Sequence, residues 1–377
     1  MCTAQFNRIL SFSRTLKAVY NLNKRFIGGE YFYTPALFSK KKEFFLDNYL
    51  QNKYAGKEYY YSFGGYYSII RILKTLNLRN DEKVLLPSYL CPSILIPFDR
   101  LSVKYTFYKV NRDLEIDVDD LQNRLDPTIK AVFFINYFGF PANINSDVIE
   151  TLRARNVTII EDIVQSFFSD LPLIGDFAFN SFRKFLPVDG SIIISNRDMS
   201  PSADKSCNSY LFRKVSGQWL RYLHIEYGIV PEKWYLKLFE KAEVNYYTDK
   251  PCSFDIFNRY VLSRCNIGRL CEIRRKYFKT LLSSFSKQAL FKEMSDKIVP
   301  LGFPIIIEDR DRLRMQLQKR NIYCPVHWKL NSSIKKEEFA ESWFVSDHIL
   351  TIPIHERNTE ADIEYLISAI DQSLQAQ

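Results

Sequence analysis

Short apolar runs alternate with segments of helical periodicity through the middle of the chain. Six such runs are bounded by polar, Pro or Gly residues: KVLLPS, VKYTFYKV, AVFFINYF, VTIIED, DFAFNSF and SIIISN. The segment SDVIETLRARN between two of them opens with Ser146, a candidate helix N-cap. The segment YYSIIRILKTLN places four apolar residues on one helical face, namely Tyr66, Ile69, Ile70 and Leu73. This alternation predicts an α/β layer structure with a mostly parallel sheet.

The pattern changes after Arg197. The stretch RYVLSRCNIGRLCEIRRKYFKTLLSSF has apolar residues at helical spacing and predicts one long basic helix. The segments FPIIIED, RDRLRMQLQKRN, IYCPVHW and EADIEYLISAI then read as strand, helix, strand and final helix. We therefore expect an N-terminal arm with helices at residues 1–54, a large α/β domain at 55–250, and a long connecting helix with a small C-terminal α/β domain at 251–377.

The N-terminal segment MCTAQFNRILSFSRTLKAVYNLNKRF lacks acidic residues and has no unbroken apolar core. It is therefore not a secretory signal, and no apolar run approaches the roughly 20 residues of a membrane span. The spacing of Phe6, Ile9, Leu10 and Leu16 predicts one apolar helix face. We expect this face to dock against the body of the protein or a partner subunit; a membrane-surface or transit helix is the alternative.

Charge and cysteine content narrow the functional classes. The 377 residues carry a formal net charge of +9, which favours anionic partners such as phosphates, nucleotides or a membrane surface. No zinc-finger or RNP-type pattern supports nucleic-acid binding. The seven cysteines form no CxxC pair, so we expect free thiols in a reducing cytoplasm and no metal site.

Three features of the sequence stand at positions where a ligand could bind, either before a predicted helix or at the end of a predicted strand. Gly64 and Gly65 precede a helix, Asp162 ends the strand TIIED with Gln165 three residues later, and Lys184 follows DFAFNSF. In open α/β sheets, ligands bind at the carboxyl ends of the strands. Each feature alone has an ordinary structural explanation: a turn, a helix N-cap and a solvated loop lysine.

Taken together, these residues match the needs of pyridoxal phosphate. Backbone N–H groups at Gly64 and Gly65 could hold its phosphate at a helix N-terminus. Its aldehyde condenses with a lysine, which requires a neutral amine at Lys184. A carboxylate such as Asp162 keeps the pyridine nitrogen protonated so that the ring can accept electrons. Ser181, three residues before the lysine, can add a hydroxyl to the phosphate.

From about residue 30 to its C-terminus, the sequence resembles the DegT/StrS family of pyridoxal-phosphate-dependent sugar aminotransferases. The resemblance rests on DEKVLLPSYLCPS, IEDIVQS, SFRKFLPVDGS and IPIHERNTEADIEYLISAI, in that order. It implies the fold-type-I aminotransferase architecture: a large, mostly parallel sheet flanked by helices, with a small C-terminal α/β domain.

The resemblance also implies roles for individual residues. Lys184 would bind the cofactor covalently and then move protons, Asp162 would pair the ring nitrogen, and Gln165 would lie near the ring's phenolic oxygen. Ser181, Gly64 and Gly65 would bind the phosphate. Asn245, in EVNYY, would reach the phosphate from the neighbouring subunit, which implies a homodimer with shared active sites. His327 lies near the substrate cleft in the family, and a structural role for it is an equal alternative.

Some positions depart from the family pattern. The residue that stacks on the ring would come from Tyr89, Leu90 or Cys91, and the sequence does not distinguish among them. A paired glycine after the lysine loop is replaced by Gly190-Ser191. The residues flanking Asn245 are also changed, to Glu243-Val244 and Tyr247. These departures concern substrate and amino-donor recognition more than the chemistry at the lysine.

The favoured function is transfer of an amino group from an amino acid, with glutamate the first choice, to a keto sugar that is nucleotide-linked. The family suggests synthesis of surface polysaccharides or antibiotic sugars. One alternative is a non-catalytic relative acting as a scaffold or regulatory partner. Another is a pyridoxal-phosphate-dependent sugar dehydratase.

Overall fold

The computed structural model describes residues 25–199, 208–247 and 253–375. The apolar face predicted on Phe6, Ile9, Leu10 and Leu16 lies outside these residues. The described strands, numbered along the chain, are β1 Ile27–Gly28, β2 Glu58–Ser62, β3 Lys83–Pro87, β4 Lys104–Tyr108, β5 Ile129–Ile135, β6 Thr158–Asp162, β7 Phe177–Phe179, β8 Ser191–Ser195, β9 Phe303–Ile306, β10 Ile322–Tyr323 and β11 Ile349–Ile352.

The main sheet has seven strands in the order β2-β8-β7-β6-β5-β3-β4. Neighbours from β4 to β7 are parallel, whereas β8 runs antiparallel to both β7 and β2. The central strands β5 and β6 are buried at every position except Lys130, as expected when helices cover both faces of a parallel sheet. The mostly parallel sheet predicted from the apolar runs is therefore confirmed.

Strand register brings three carboxyl ends together at one edge of this sheet. Asp162, the last residue of β6, pairs with Ile135 at the end of β5 and with Phe179 at the end of β7. The turn that follows β7 therefore starts beside Asp162. This alignment is what allows residues distant in sequence to share one site.

Helices connect most of the strands in the described part of the chain. They span Pro35–Ser39, Leu46–Lys53, Gly65–Leu76, Leu95–Leu101, Val118–Asn123, Ser146–Ala154, Asn208–Tyr227, Glu232–Tyr246, Ile256–Leu262, Ile267–Phe285, Arg310–Lys319, Ala340–His348 and Glu360–Gln375. None of the helices in the described ranges combines the length and apolar character that crossing a bilayer requires.

Two details of the helices differ from expectation. The predicted long basic helix is two helices, Ile256–Leu262 and Ile267–Phe285, because Asn266 caps the second by accepting a hydrogen bond from Arg269 N–H. Helix Ser146–Ala154 is capped by Asn145, whose side chain accepts from Val148 N–H, and Ser146 is its first residue rather than its cap.

The two ends of the described chain meet in a second core. Strand β1 pairs in parallel with β10, and β9 pairs antiparallel with β11. Ile27 packs in one buried cluster with residues from the C-terminal third, including Leu317, Ile352 and Ile370. The segment that begins at Arg25 is therefore docked on the C-terminal part of the same chain. The domain boundaries near residues 54 and 250 stay a prediction.

Candidate active site

Two carboxylates stand next to each other at the end of β6 and point to opposite faces of the sheet. Glu161 accepts hydrogen bonds from Asn136 Nδ2 at 2.9 Å, Ile174 N–H at 2.9 Å and Gly175 N–H at 3.0 Å. The two backbone donors belong to the loop that precedes β7, and Asn136 directly follows β5. Glu161 is therefore a structural carboxylate.

Asp162 lies on the other face and is also buried. Its Oδ1 accepts one hydrogen bond, from Val164 N–H at 2.8 Å, which closes a turn. The chain after Asp162 forms turns rather than a regular helix, so the residue is not a helix N-cap. Burial raises the pKa of Asp162 to about 7, although the nearby Lys184 charge opposes the rise.

Lys184 ends a short 3₁₀ turn, Phe182–Lys184, in the connection between β7 and β8. Phe182 is buried in this connection, and its N–H donates to Gly190 O at 3.0 Å. Gly190 has φ +154°, and a Cβ there would collide with the Phe254 ring, so glycine is required. The lysine is thus held by a fixed turn rather than by a solvated loop.

Ser191, which replaces a glycine of the family pattern, also anchors this turn. Its hydroxyl bonds to Asn180 O at 2.5 Å and to Ser68 Oγ at 2.7 Å. Ser68 belongs to helix Gly65–Leu76. The departure at Ser191 therefore ties the lysine turn to the helix that starts at the glycine pair.

The Lys184 amine has no hydrogen-bond or ion-pair partner among the residues that the structure describes. Burial lowers the pKa of Lys184, and the neighbouring Arg183 charge lowers it further, while Cys91, Glu30 and Asp162 act in the opposite direction. A larger fraction of neutral amine is therefore present than in an exposed lysine. Such an amine is available as a nucleophile and as a base.

Six of the residues predicted from sequence line one cavity, which we call the Asp162 cavity: Gly65, Cys91, Asp162, Gln165, Ser181 and Lys184. The cavity is narrow, about 70 Å³. Gly65 is the first residue of helix Gly65–Leu76, whose first-turn N–H groups have no partner within the helix. Ser181 lies against the same position, because its Cβ is 3.9 Å from where a Cβ on Gly65 would be.

The amide of Gln165 is oriented by the backbone. Its Oε1 accepts a hydrogen bond from Phe138 N–H at 2.6 Å, so its NH₂ group is the end available to a ligand. Cys91 reaches the cavity, with its Sγ 3.0 Å from Ser93 Oγ.

Tyr89 does not line the Asp162 cavity. It is fully buried, accepts from Trp328 N–H at 2.8 Å and donates to His327 O. Of the candidates for the stacking position, Cys91 is thus the one placed beside Asp162 and Lys184, and Tyr89 holds the His327 segment.

His327 lies in a second cavity of about 340 Å³, the His327 cavity, which shares Lys184 with the Asp162 cavity. Its walls include Glu30, Tyr31, Lys184, Arg314, His327 and His355. His327 Nδ1 is 3.0 Å from Thr351 Oγ1. Burial, with the Lys184 charge, lowers the pKa of His327 to about 3, so the imidazole is neutral at physiological pH.

The EVNYY segment folds against its own chain. Asn245 lies in helix Glu232–Tyr246, but its side chain is outside the described part of the structure. Glu243 pairs with Arg183 at 3.3 Å, and Tyr246 and Tyr247 line the Asp162 cavity. The sequence shows that Glu243 and Tyr247 depart from the DegT/StrS pattern, and the structure gives both residues contacts at this site.

Arg183, Tyr246 and Trp328 were missed as cavity residues. Arg183 lines both cavities. Its position beside Lys184 in SFRK was a signal available in the sequence. The positions of Tyr246 and Trp328 depend on long-range packing, for which the sequence has no local signal.

A larger cavity of about 530 Å³ lies elsewhere, between residues 26–40 and residues such as Glu356 and Arg357. None of the predicted site residues lines it. Size alone would select this cavity, but the chemistry selects the pair of cavities that meet at Lys184.

The fold is shared with solved aminotransferases. No protein-family model matches the chain. A DegT DnrJ EryC1 StrS aminotransferase from Brucella abortus is similar with a TM-score of 0.63 and 18% identity, covering 98% of this chain and 97% of that one. The sugar aminotransferase CalS13 from Micromonospora echinospora is similar with a TM-score of 0.64 and 16% identity, covering 91% and 93%.

Among curated proteins, the uncharacterized protein MJ1066 of Methanocaldococcus jannaschii is 20% identical, over 79% of this chain and 81% of its own length. At these identities, the structural similarity establishes the fold, which confirms the architecture expected from the DegT/StrS resemblance.

Proposed function

We propose that this protein is a pyridoxal-phosphate-dependent aminotransferase that transfers an amino group from an amino acid to a sugar. The observation that carries the proposal is the meeting of Lys184 and Asp162 in one cavity. Lys184 offers a buried amine without a partner in the described structure, and Asp162 offers a buried carboxylate with one fixed donor. A fold shared with sugar aminotransferases supports the same function.

The residues present suit the cofactor chemically. Pyridoxal phosphate, when bound, supplies an aldehyde that takes up amines and a cationic ring that accepts electrons. Lys184 would hold the aldehyde carbon, Asp162 would face the ring nitrogen, and the NH₂ group of Gln165 would donate to the ring oxygen. Ser181 and the first-turn N–H groups at Gly65 would bind the phosphate.

The electrostatics of the cavity favour these roles. With a pKa near 7, the Asp162 carboxyl is partly protonated at physiological pH, and a cationic ring nitrogen facing it would favour the carboxylate form. The lowered pKa of Lys184 favours a neutral amine, which can take up a proton and return it. A ligand that is cationic beside Asp162 would therefore favour both the ionised Asp162 carboxylate and the neutral Lys184 amine.

The size and charge of the His327 cavity suggest where the amino donor and the sugar bind. The His327 cavity is the wider of the two and shares Lys184 with the Asp162 cavity, so we assign it to the substrates. Arg183 and Arg314 in its wall suit the carboxylate of glutamate or the diphosphate of a nucleotide-linked keto sugar. On the DegT/StrS resemblance, we propose a cytoplasmic homodimer.

Absorption spectroscopy tests the proposal directly. The purified protein, incubated with pyridoxal phosphate and dialysed, should show a band near the edge of the visible range from the lysine-bound cofactor. Glutamate should remove this band and give the spectrum of the amine form. A protein that retains no cofactor band would refute the proposal, and a band unchanged by every amino acid would refute amino transfer.

A further inference from the structure

Tyr246 is a buried residue at the Asp162 cavity, and the bonding of its hydroxyl differs from that of its neighbours. It belongs to a buried cluster with Tyr66, Tyr67 and Tyr210. Tyr66 Oη accepts from Arg100 at 2.6 Å, Tyr67 Oη donates to Tyr246 O at 2.6 Å, and Tyr210 Oη donates to Asp189 at 3.0 Å. Tyr246 is only 2% exposed, yet its hydroxyl has no hydrogen-bond partner among the described residues. Hydroxyls of buried residues are normally bonded, and because Tyr246 lines the Asp162 cavity its hydroxyl is available to a ligand there.

The hydroxyl of Tyr246 faces the start of helix Gly65–Leu76. It lies so close to Gly64 that a Cβ on this glycine would collide with it, and Tyr246 lines the Asp162 cavity together with Gly65 and Ser181. Gly64 has an extended backbone, so glycine is required here by the close approach and not by its φ angle. A helix N-terminus and an unpartnered donor therefore converge on one point.

The charge around Tyr246 also suits an anion. The guanidinium of Arg183 lies over the Tyr246 ring, with Cζ 4.5 Å from the ring centroid. Burial raises the pKa of the Tyr246 hydroxyl, so it remains protonated at physiological pH and can donate. Donors and a cation are thus present, and the charge of this cation is shared with Glu243, which pairs with Arg183 at 3.3 Å.

We propose that Tyr246 donates a hydrogen bond to the phosphate of pyridoxal phosphate, within the same chain that supplies Lys184. This inference rests on the proposed function and adds a ligand to it. The backbone of the segment is held by its own chain, because Tyr67 Oη donates to Tyr246 O and Arg100 Nη1 donates to Tyr247 O at 3.3 Å. The phosphate site thus has an internal donor in addition to any that a second subunit would bring.

The first test compares two ligands that differ only in the phosphate. Tyr246→Phe should raise the Kd for pyridoxal phosphate about 10- to 100-fold, the loss expected for a hydrogen bond to a charged group. The Kd for pyridoxal should be unchanged. Tyr210→Phe is the matched control, because it removes a hydroxyl of the same cluster that is bonded to Asp189; the ratio of the two Kd values should stay at the wild-type level.

The outcome separates this inference from the proposed function. An equal loss for both ligands, or no loss for either, in Tyr246→Phe would overturn the role of the hydroxyl while leaving the aminotransferase proposal in place. A wild-type chain that binds neither ligand through Lys184 would overturn both.

A second test addresses which chain supplies the hydroxyl. Lys184→Ala and Tyr246→Phe chains are co-expressed with different tags, and the mixed assembly is purified and titrated by the lysine-dependent band. If Tyr246 acts within its own chain, every lysine-bearing site lacks the hydroxyl and binds weakly. Sites of wild-type affinity in the mixed assembly would show that the hydroxyl comes from the partner and would overturn the inference.

Discussion

The two faces at the end of β6 differ in how completely the protein satisfies its own charged groups. On one face, Glu161 receives three hydrogen bonds from fixed donors; on the other, Asp162 receives one and lines a cavity. Burial raises the pKa of both carboxyls, so burial does not distinguish them. The difference lies in unused acceptor capacity, which marks Asp162 as the residue built to receive something from outside the chain.

The buried lysines show the same contrast. Lys214 is paired with Glu30 at 3.1 Å and lies 3.9 Å from Glu243, and these carboxylates raise its pKa despite burial. Lys184 has no such partner in the described structure, and its pKa is lowered. A buried amine that is ion-paired within the protein, such as that of Lys214, has a structural role. A buried amine at a cavity without an ion pair, such as that of Lys184, is available for chemistry.

The largest effect is expected at Lys184. Lys184→Ala should abolish the cofactor band and reduce turnover by at least about 10³-fold, because the covalent attachment and the proton-moving base are both lost. Lys214→Ala, the control, should keep the band. The comparison of the two lysines would be wrong if the Lys184→Ala protein showed the wild-type spectrum.

Asp162→Asn should reduce turnover by about 10²- to 10³-fold while the protein still binds cofactor, since an amide no longer stabilises a cationic ring nitrogen. The asparagine retains an acceptor for Val164 N–H, so the turn should be preserved. Single-turnover kinetics at saturating cofactor measure the effect. Full turnover by this variant would show that Asp162 has no role in the reaction, contrary to the contrast drawn with Glu161.

Glu161→Ala should act on stability. Two backbone N–H groups and the Asn136 amide would lose their acceptor in a buried site, which we expect to lower the free energy of unfolding by about 3 kcal/mol. Urea denaturation without cofactor measures this loss, and the folded fraction should still show the Lys184 band with pyridoxal phosphate. An equally stable protein that had lost the band would contradict the structural role.

The smallest predicted effect is a pH dependence of stability specific to Asp162. The folded carboxyl has a pKa of about 7, against roughly 3.9 unfolded, so between these values the native state holds a proton that the unfolded state has released. Relative to Asp162→Asn, the cofactor-free wild type should therefore lose about 1.4 kcal/mol of stability per pH unit as the pH rises from 5 to about 6.5. A difference independent of pH would show that the carboxyl is not perturbed.

Much of the sheet and part of the site could be predicted because both depend on local patterns. Buried parallel strands are continuous apolar runs, and β3 to β8 coincide with the six runs in the sequence. Polar residues that end such runs meet at one sheet edge, which is why Asp162, Gln165 and Lys184 share a cavity. The break at Asn266 was also readable, since asparagine before an apolar helical segment is an N-cap signal.

The other features of the site depend on the direction of side chains and on contacts between distant parts of the chain, which local sequence patterns do not predict. Tyr89 and Cys91 are two residues apart, and only the turn conformation decides that Cys91 enters the cavity while Tyr89 bonds to the His327 segment. Tyr246 reaches Gly64 across more than half of the described chain through packing of an aromatic cluster. No periodicity in the sequence encodes that contact.

The pairing of β1 with β10 has a consequence for biosynthesis. Glu30 and Tyr31, which follow β1, form the wall of the His327 cavity together with His355. A nascent chain cannot complete this wall until His355 has left the ribosome, whereas Gly65, Asp162 and Lys184 all emerge earlier. The side of the lysine assigned to substrates is therefore the last part of the pocket to be assembled.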